Sequence, residues 1–367
     1  MKLIVGVTIV GVTSVALISF ASVAAHAQPP VVTPTDVPRV AVVAAPPAGF
    51  NPLTASPAER AHYAVPPAPD PKIAPKAYAQ WLRAMADFDH REPTTLVPTT
   101  NFAGPMRNLK TQPSGTAGLL YGTSSNWSGT SVVGETFAKV ESIVGIFTVP
   151  AARQAMGACT GGWDYSVQWP GIDGNGSGDV LQGGTQVDSY CKSGSTSTFY
   201  TAWVEWFPYS WTNVGSPAIS PGDQVYVQVW VTDPSNYCES GGTYYKGAVY
   251  LDDYSTGISA TYCLDPPSGT TLVGNSVEWI VEDPSVSGST GLTNYVEEAW
   301  QDGFAWAYAN TEFPNYHFMG QIPAYLQLQD ILMTDGEGNG ISGVSIENGA
   351  YLDFETLGCV YNSANAC

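Results

Sequence analysis

From Ser124 onward, apolar and polar residues alternate in short runs, each bounded by Gly, Pro, Asn, Asp or Ser. The clearest runs are residues 142–149, 200–207, 224–231, 244–251 and 277–281. Period-two alternation puts successive side chains on opposite faces of a strand. Residues 224–231, QVYVQVWV, therefore predict a strand with one buried and one polar face. Many short strands separated by turn residues predict an all-β sandwich or barrel. Long helical periodicity is lacking in this region, where residues 295–308 hold at most a brief helix. No fixed-period repeat is visible, which argues against a propeller or solenoid.

The first 115 residues have a different texture. Lys2 precedes an apolar run over residues 3–20, and Ala25-His26-Ala27 fits a small-residue cleavage site. Residues 1–27 are thus expected to be an export signal, the alternative being an uncleaved anchor. Residues 28–75 are rich in Pro, Ala and Val and read as a linker or loosely ordered arm. Tyr78, Trp81, Leu82 and Met85 recur at helical spacing and predict a short amphipathic helix over residues 76–89.

Charge divides the chain at the same place. Of 13 Lys and Arg and 32 Asp and Glu, 9 and 6 lie in residues 1–115, leaving 4 and 26 beyond it. So acidic a second part argues against nucleic acid and anionic membranes as partners. It also suits acid, where protonation removes the self-repulsion. A basic segment ahead of an acidic domain suggests a propeptide over residues 28–115, held partly by opposite charge, with residues 116–367 as the functional domain; acid weakens that attraction, and self-cleavage is expected to start near residues 110–123. A permanent extension is the alternative. Export also changes the meaning of the cysteines. Six of them in an oxidising compartment suggest disulfides, and we expect sequential pairing, Cys159–Cys191, Cys238–Cys263 and Cys359–Cys367.

Several chemistries lack their residues. The four histidines are His26, His62, His90 and His317, and there is no HExxH, GxSxG, CxxC, Walker loop or dinucleotide fingerprint. No metal or cofactor is expected. The Gly-rich acidic run at residues 335–340 lacks EF-hand spacing and reads as a turn. Carboxylates and amides remain. Residues 277–283, VEWIVED, form an apolar strand with Glu278 and Glu282 on one face, where a carboxylate is costly unless solvated, paired or working. Four further segments stand out: Asn126-Trp127-Ser128-Gly129, Trp169-Pro170-Gly171-Ile172-Asp173-Gly174, Leu181-Gln182-Gly183-Gly184, and Ala202-Trp203-Val204-Glu205-Trp206-Phe207-Pro208.

In this order, these five motifs resemble those of the glutamic peptidases, or eqolisins, a family of acid proteases. The resemblance covers about residues 124–283 and is looser beyond. It implies a lectin-like sandwich of two antiparallel sheets with an active-site cleft across one face. It implies Gln182 and Glu282 as the catalytic pair, with Trp127, Trp169, Asp173 and Glu205 around the cleft as substrate-binding residues. Pro170, Gly183 and Thr201 depart from the pattern, where Val, Thr and often Asp stand. The expectation is a secreted, monomeric acid endopeptidase acting on polypeptides, inhibited by its own propeptide and free of the membrane once mature. The alternative classes are a carbohydrate-active sandwich using Glu205 and Glu282, or a binding module with its tryptophans as a platform.

Overall fold

The computed structural model describes residues 32–72, 75–113, 119–133, 140–152, 162–232, 238–240, 242–270, 272–286, 289–292, 297–307, 317–318, 327–334, 337–338, 340–347 and 352–357. The expected export signal, Cys159, Cys359, Cys367 and half of the 335–340 turn lie outside the described residues.

Two sheets are built almost wholly of antiparallel pairs. The first runs in the order Leu96–Pro98, Thr212–Val214, Ser195–Phe207, Val180–Lys192, Val167–Ile172, Ser276–Glu282, Trp127–Val133, Gln327–Thr334, Leu119–Ser124 and Lys110–Pro113. The second runs Val32–Pro34, Val40–Val43, Ile258–Leu264, Gly247–Asp253, Gln224–Val231, Val140–Thr148, Glu297–Ala307, Leu352–Leu357 and Gly340–Glu347. Between them lies a core of inward-facing apolar residues that includes Ile143, Leu181, Val204, Val227, Val249, Val277 and Trp279. Trp279 also donates its indole N–H to the Val144 carbonyl at 2.7 Å, tying one sheet to the other. The all-β sandwich expected from the alternation is the fold.

The described part of residues 295–308 is not helical. Glu297–Ala307 is a strand, paired on one side with Val140–Thr148 and on the other with Leu352–Leu357. Gly303 disfavours a helix at its centre, and Phe304 and Trp306 keep the period-two spacing.

The arm is also more ordered than its composition suggests. Val40–Val43 adds to the edge strand Ile258–Leu264 of the second sheet, and Leu96–Pro98 adds to Thr212–Val214 of the first. Helix Pro57–His62 starts at a Ser56–Glu59 capping box, and helix Pro75–Ala84 buries Ala77, Trp81 and Ala84. Tyr63, Trp81, Met85 and Phe88 of the arm pack with Val144, Ile146, Tyr226, Trp230 and Tyr250 on the outer face of the second sheet. Gln224–Val231 is therefore covered on both faces rather than one. Its Gln228 donates to the Pro67 carbonyl of the arm at 2.9 Å. The arm's arginines reach carbonyls and rings. Arg91 donates to Ala44 O at 3.0 Å, Arg39 to Pro266 O at 2.9 Å, and Arg83 lies 3.8 Å from the Tyr254 ring centroid. Cys238 and Cys263 form a disulfide, as expected, and Cys191 is disulfide-bonded as well.

Two outcomes follow from this packing. Trp81→Ala removes a buried indole and its hydrogen bond to Pro66 O. It should destabilise the full chain by about 3–5 kcal/mol, read by urea unfolding. The second concerns acid. Burial raises Asp188 to about 8, Asp330 to about 7, and Asp173 and Asp283 to about 6. A carboxyl raised in the fold contributes stability that is full below the unfolded pKa near 4 and is lost as pH rises through the folded value. Thermal melts should therefore show the highest midpoint near about pH 4 and a steady fall towards pH 8.

Candidate active site

The site lies on the face of the first sheet that points away from the second. Strand alternation puts Ser276, Glu278, Ile280 and Glu282 on that face, while Val277 and Trp279 enter the core between the sheets. The neighbouring strands supply the rest. Gln182 stands directly opposite Glu205, and Glu282 stands between Trp127 on one side and Val167 on the other. Trp127, Trp169, Trp203, Trp211 and Ile280 make the apolar wall of the face.

Residues 99–107 of the arm cross this wall. Phe102 and Ser285 exchange backbone hydrogen bonds at 3.2 and 2.9 Å, and the Trp211 N–H donates to Asn101 O at 3.1 Å. At the centre, one peptide unit meets both acidic and amide groups. Gln182 Nε2 donates to the Ala103 carbonyl at 2.5 Å and to Glu205 Oε2 at 2.8 Å. The Gly104 N–H of the same unit donates to Glu282 Oε1 at 3.1 Å. The Ala103 N–H donates to Glu205 Oε2 at 3.1 Å. Trp127 Nε1 then donates to Gly104 O at 3.0 Å and Asn126 Nδ2 to Pro105 O at 3.3 Å. The Met106 N–H reaches Gly174 O at 3.1 Å.

Glu282 is buried, and burial raises its carboxyl to about 8 against the hydrogen bonds that favour its charge. Those bonds come from Gly104, from Asn126 Nδ2 at 3.0 Å and from Trp169 Nε1 at 3.2 Å. Glu205 is held well above the ordinary carboxyl range, first by burial and then by the nearby Glu282 charge. Both groups are therefore neutral in acid while the segment covers them. Uncovering them would return them towards their ordinary range. For these two carboxyls the covered state holds its protons longer, so rising pH loosens the cover, opposite to a latch of basic arm on acidic domain.

Five of the six residues singled out from sequence meet here. Gln182, Glu205 and Trp127 touch the 103–104 backbone, and Glu282 and Trp169 touch each other. Trp169 and Trp127 also pack edge to face, with centroids 5.1 Å apart. Asp173 is elsewhere. With φ of 70°, it turns its carboxylate onto the N–H groups of Val273, Gly274 and Asn275 at 2.7–3.0 Å. That clamp fixes the turn leading into Ser276–Glu282, so Asp173 positions the strand that carries Glu282. Glu278 is buried four residues away, bonded to Ser131 Oγ at 3.3 Å and also raised by burial. Gly183 faces the inter-sheet core, where an added Cβ would come within 2.6 Å of Val249. That contact explains why the larger residue of the resembled pattern is missing there.

Asn126 stands in sequence only as the neighbour of Trp127, yet it bonds both Glu282 and the crossing segment. Its place directly before Trp127 was the available signal. Nothing in the sequence marked residues 99–107 as lying on the site.

Comparison with known proteins bears on the same region. The sequence profile of the Peptidase A4 family matches residues 125–325. Aspergillopepsin-2 of Aspergillus niger is 31% identical over 175 residues, which are 44% of this chain and 56% of that protein. Scytalidopepsin B of Scytalidium lignicola is 25% identical over 167 residues, 46% of this chain and 55% of that protein. The chain thus spans about half the length of the curated relatives it matches. A crystal structure of scytalido-glutamic peptidase with a transition state analog inhibitor is 18% identical, covers 64% of this chain and 98% of its own, and superposes with a TM-score of 0.45. With the profile matched over more than half its length, this chain belongs to the Peptidase A4 family, the eqolisins its motifs resemble.

Proposed function

We propose that this chain is an acid endopeptidase that hydrolyses polypeptides with Glu282 as general base and Gln182 as oxyanion donor, its own residues 99–107 blocking the site until processing. The observation that carries the reading is the Ala103–Gly104 peptide unit, whose carbonyl meets Gln182 and whose N–H meets Glu282.

The chemistry follows from those two contacts. In an emptied site Glu282 is solvated, ionises near the ordinary Glu pKa, and takes a proton from water as it attacks the carbonyl carbon. The oxygen of the tetrahedral intermediate gains charge where Gln182 Nε2 already donates. An amide holds that position without titrating. Protonated Glu282 then lies beside the nitrogen that must leave and returns the proton to it. Glu205 holds the substrate backbone and Gln182 together, Trp127 and Trp169 line the site, and Asp173 acts at a distance through its turn. An optimum at about pH 2–5 is expected for the emptied site only, because the covered Glu282 stays neutral up to about pH 8. The apolar run at residues 3–20 supports work outside the cell. A donor placed on a peptide carbonyl favours peptides over sugars, for which Gln182 has no evident use.

Processed protein should digest an acid-denatured protein at about pH 3 and leave β-glucan intact. Gln182→Ala should cost about 2.7–4 kcal/mol of transition-state stabilisation, a 10²–10³-fold loss in kcat. Glu282→Gln should abolish turnover, and Glu278→Gln should be milder. The two Glu→Gln variants, isosteric with a protonated carboxyl, should keep the wild-type thermal profile at pH 4. Full activity in Glu282→Gln, or hydrolysis of glucan instead of protein, would overturn the assignment.

A further inference from the structure

We infer that the Ala103–Gly104 bond is the chain's own first substrate, and that the cut there comes from the site it covers in the same molecule. This rests on the proposed peptidase function and adds the bond, the register and the order of events.

The segment is seated with the polarity and register of a substrate. Its central carbonyl, its central N–H and the N–H before them each meet a different side chain of the site, Gln182, Glu282 and Glu205. Backbone bonds on both sides, from Asn101 to Trp211 and from Met106 to Gly174, prevent a slip by one residue. Side chains agree with the register. Ala103 is fully buried among the tryptophans of the wall, leaving little room for a larger residue. An added Cβ at Gly104 would come within 3.1 Å of the Phe207 ring. Phe102 places its ring edge to face with Phe207, centroids 6.1 Å apart. Small residues on both sides of the bond, with an aromatic one before them, are thus the pattern the site accepts.

Cleavage balances without a co-reactant. A brief opening admits water and lets Glu282 lose its own proton to solvent; with the segment reseated, water adds to the Ala103 carbonyl carbon and gives one proton to the Glu282 carboxylate, the C–N bond breaks, and Glu282 returns the proton to the Gly104 nitrogen. One product ends in the Ala103 carboxylate and the other begins with the Gly104 amine. The closed site leaves Glu282 hydrogen-bonded on both oxygens. The cut therefore waits for brief openings that admit water, and latency is kinetic.

A second inference has its own basis. Residues 32–72 and 75–88 cover a face of the second sheet that carries Ile146, Tyr226, Trp230 and Tyr250. They also pair with that sheet through Val40–Val43. Removing them would expose a large apolar surface. We propose that the arm stays docked after the cut and that the product is a two-chain enzyme.

Full-length protein held at about pH 3 and sampled over time by intact-mass spectrometry tests both. The expected first products end at Ala103 and begin at Gly104, form at a rate independent of protein concentration, and are lacking in Glu282→Gln. A synthetic peptide of residues 99–108 should be cut at the same bond by processed enzyme. If the protein digests casein yet neither the chain nor the peptide is ever cut at that bond, the first inference is wrong while the peptidase reading stands. If casein and chain both stay intact at every pH tried, the peptidase reading falls and takes the cut with it. Size-exclusion of the cut material at the same pH should elute both chains together. Separate elution of the arm overturns the two-chain product.

Discussion

The Ser276–Glu282 strand is hydrogen-bonded along both edges, and the site inherits its register. A slip by one residue would send both glutamates into the core and turn Trp279 outward. Three contacts oppose that slip. Asp173 clamps the preceding turn, Trp279 anchors to the other sheet through Val144, and Trp127 stands directly opposite Glu282. The motifs around Trp127, Asp173 and Glu282, scattered over some 150 residues of sequence, thus belong to one mechanical unit.

The same strand shows how so acidic a chain tolerates buried acids. Glu205, Glu278 and Glu282 are buried, and the side chains that hydrogen-bond them are amides, hydroxyls and indoles, with Arg107 adding a favourable charge near Glu282. Hydrogen-bond donors without charge cannot hold a carboxylate ionised against full desolvation, so these groups keep their protons. The cost of burial falls away in acid and returns at neutral pH.

Much of this was legible in the sequence, though unevenly. Gln224–Val231 and Ser276–Glu282 were readable because alternation directly encodes a sheet with distinct faces. The order of Asn126-Trp127, Gln182, Glu205 and Glu282 pointed to one site before any distance was known. The arm was not readable. Its strands of three and four residues have no pattern of their own and take their order from sheet edges that sequence does not reveal. Gln228 looked like a solvent-facing residue because its partner, the Pro67 carbonyl, lies 161 positions away. Glu297–Ala307 was misread because two tryptophans, a phenylalanine and two glutamates fit a helix nearly as well as a strand over so short a run.

Residues 101–107 had no signature for a related reason. The polar contacts that hold Ala103, Gly104, Pro105 and Met106 end on main-chain N–H and C=O groups. A surface that grips its occupant this way recognises an extended backbone first and side chains second. Such a stretch must be free of its own secondary structure to fit, since its N–H and C=O groups are then unpaired. Native globular proteins offer few of them, and chains already unfolded by acid offer many. For the peptidase function proposed above, the crossing segment implies a division of labour in which acid would select the substrate by unfolding it, and the site would need only to find chain that has come undone.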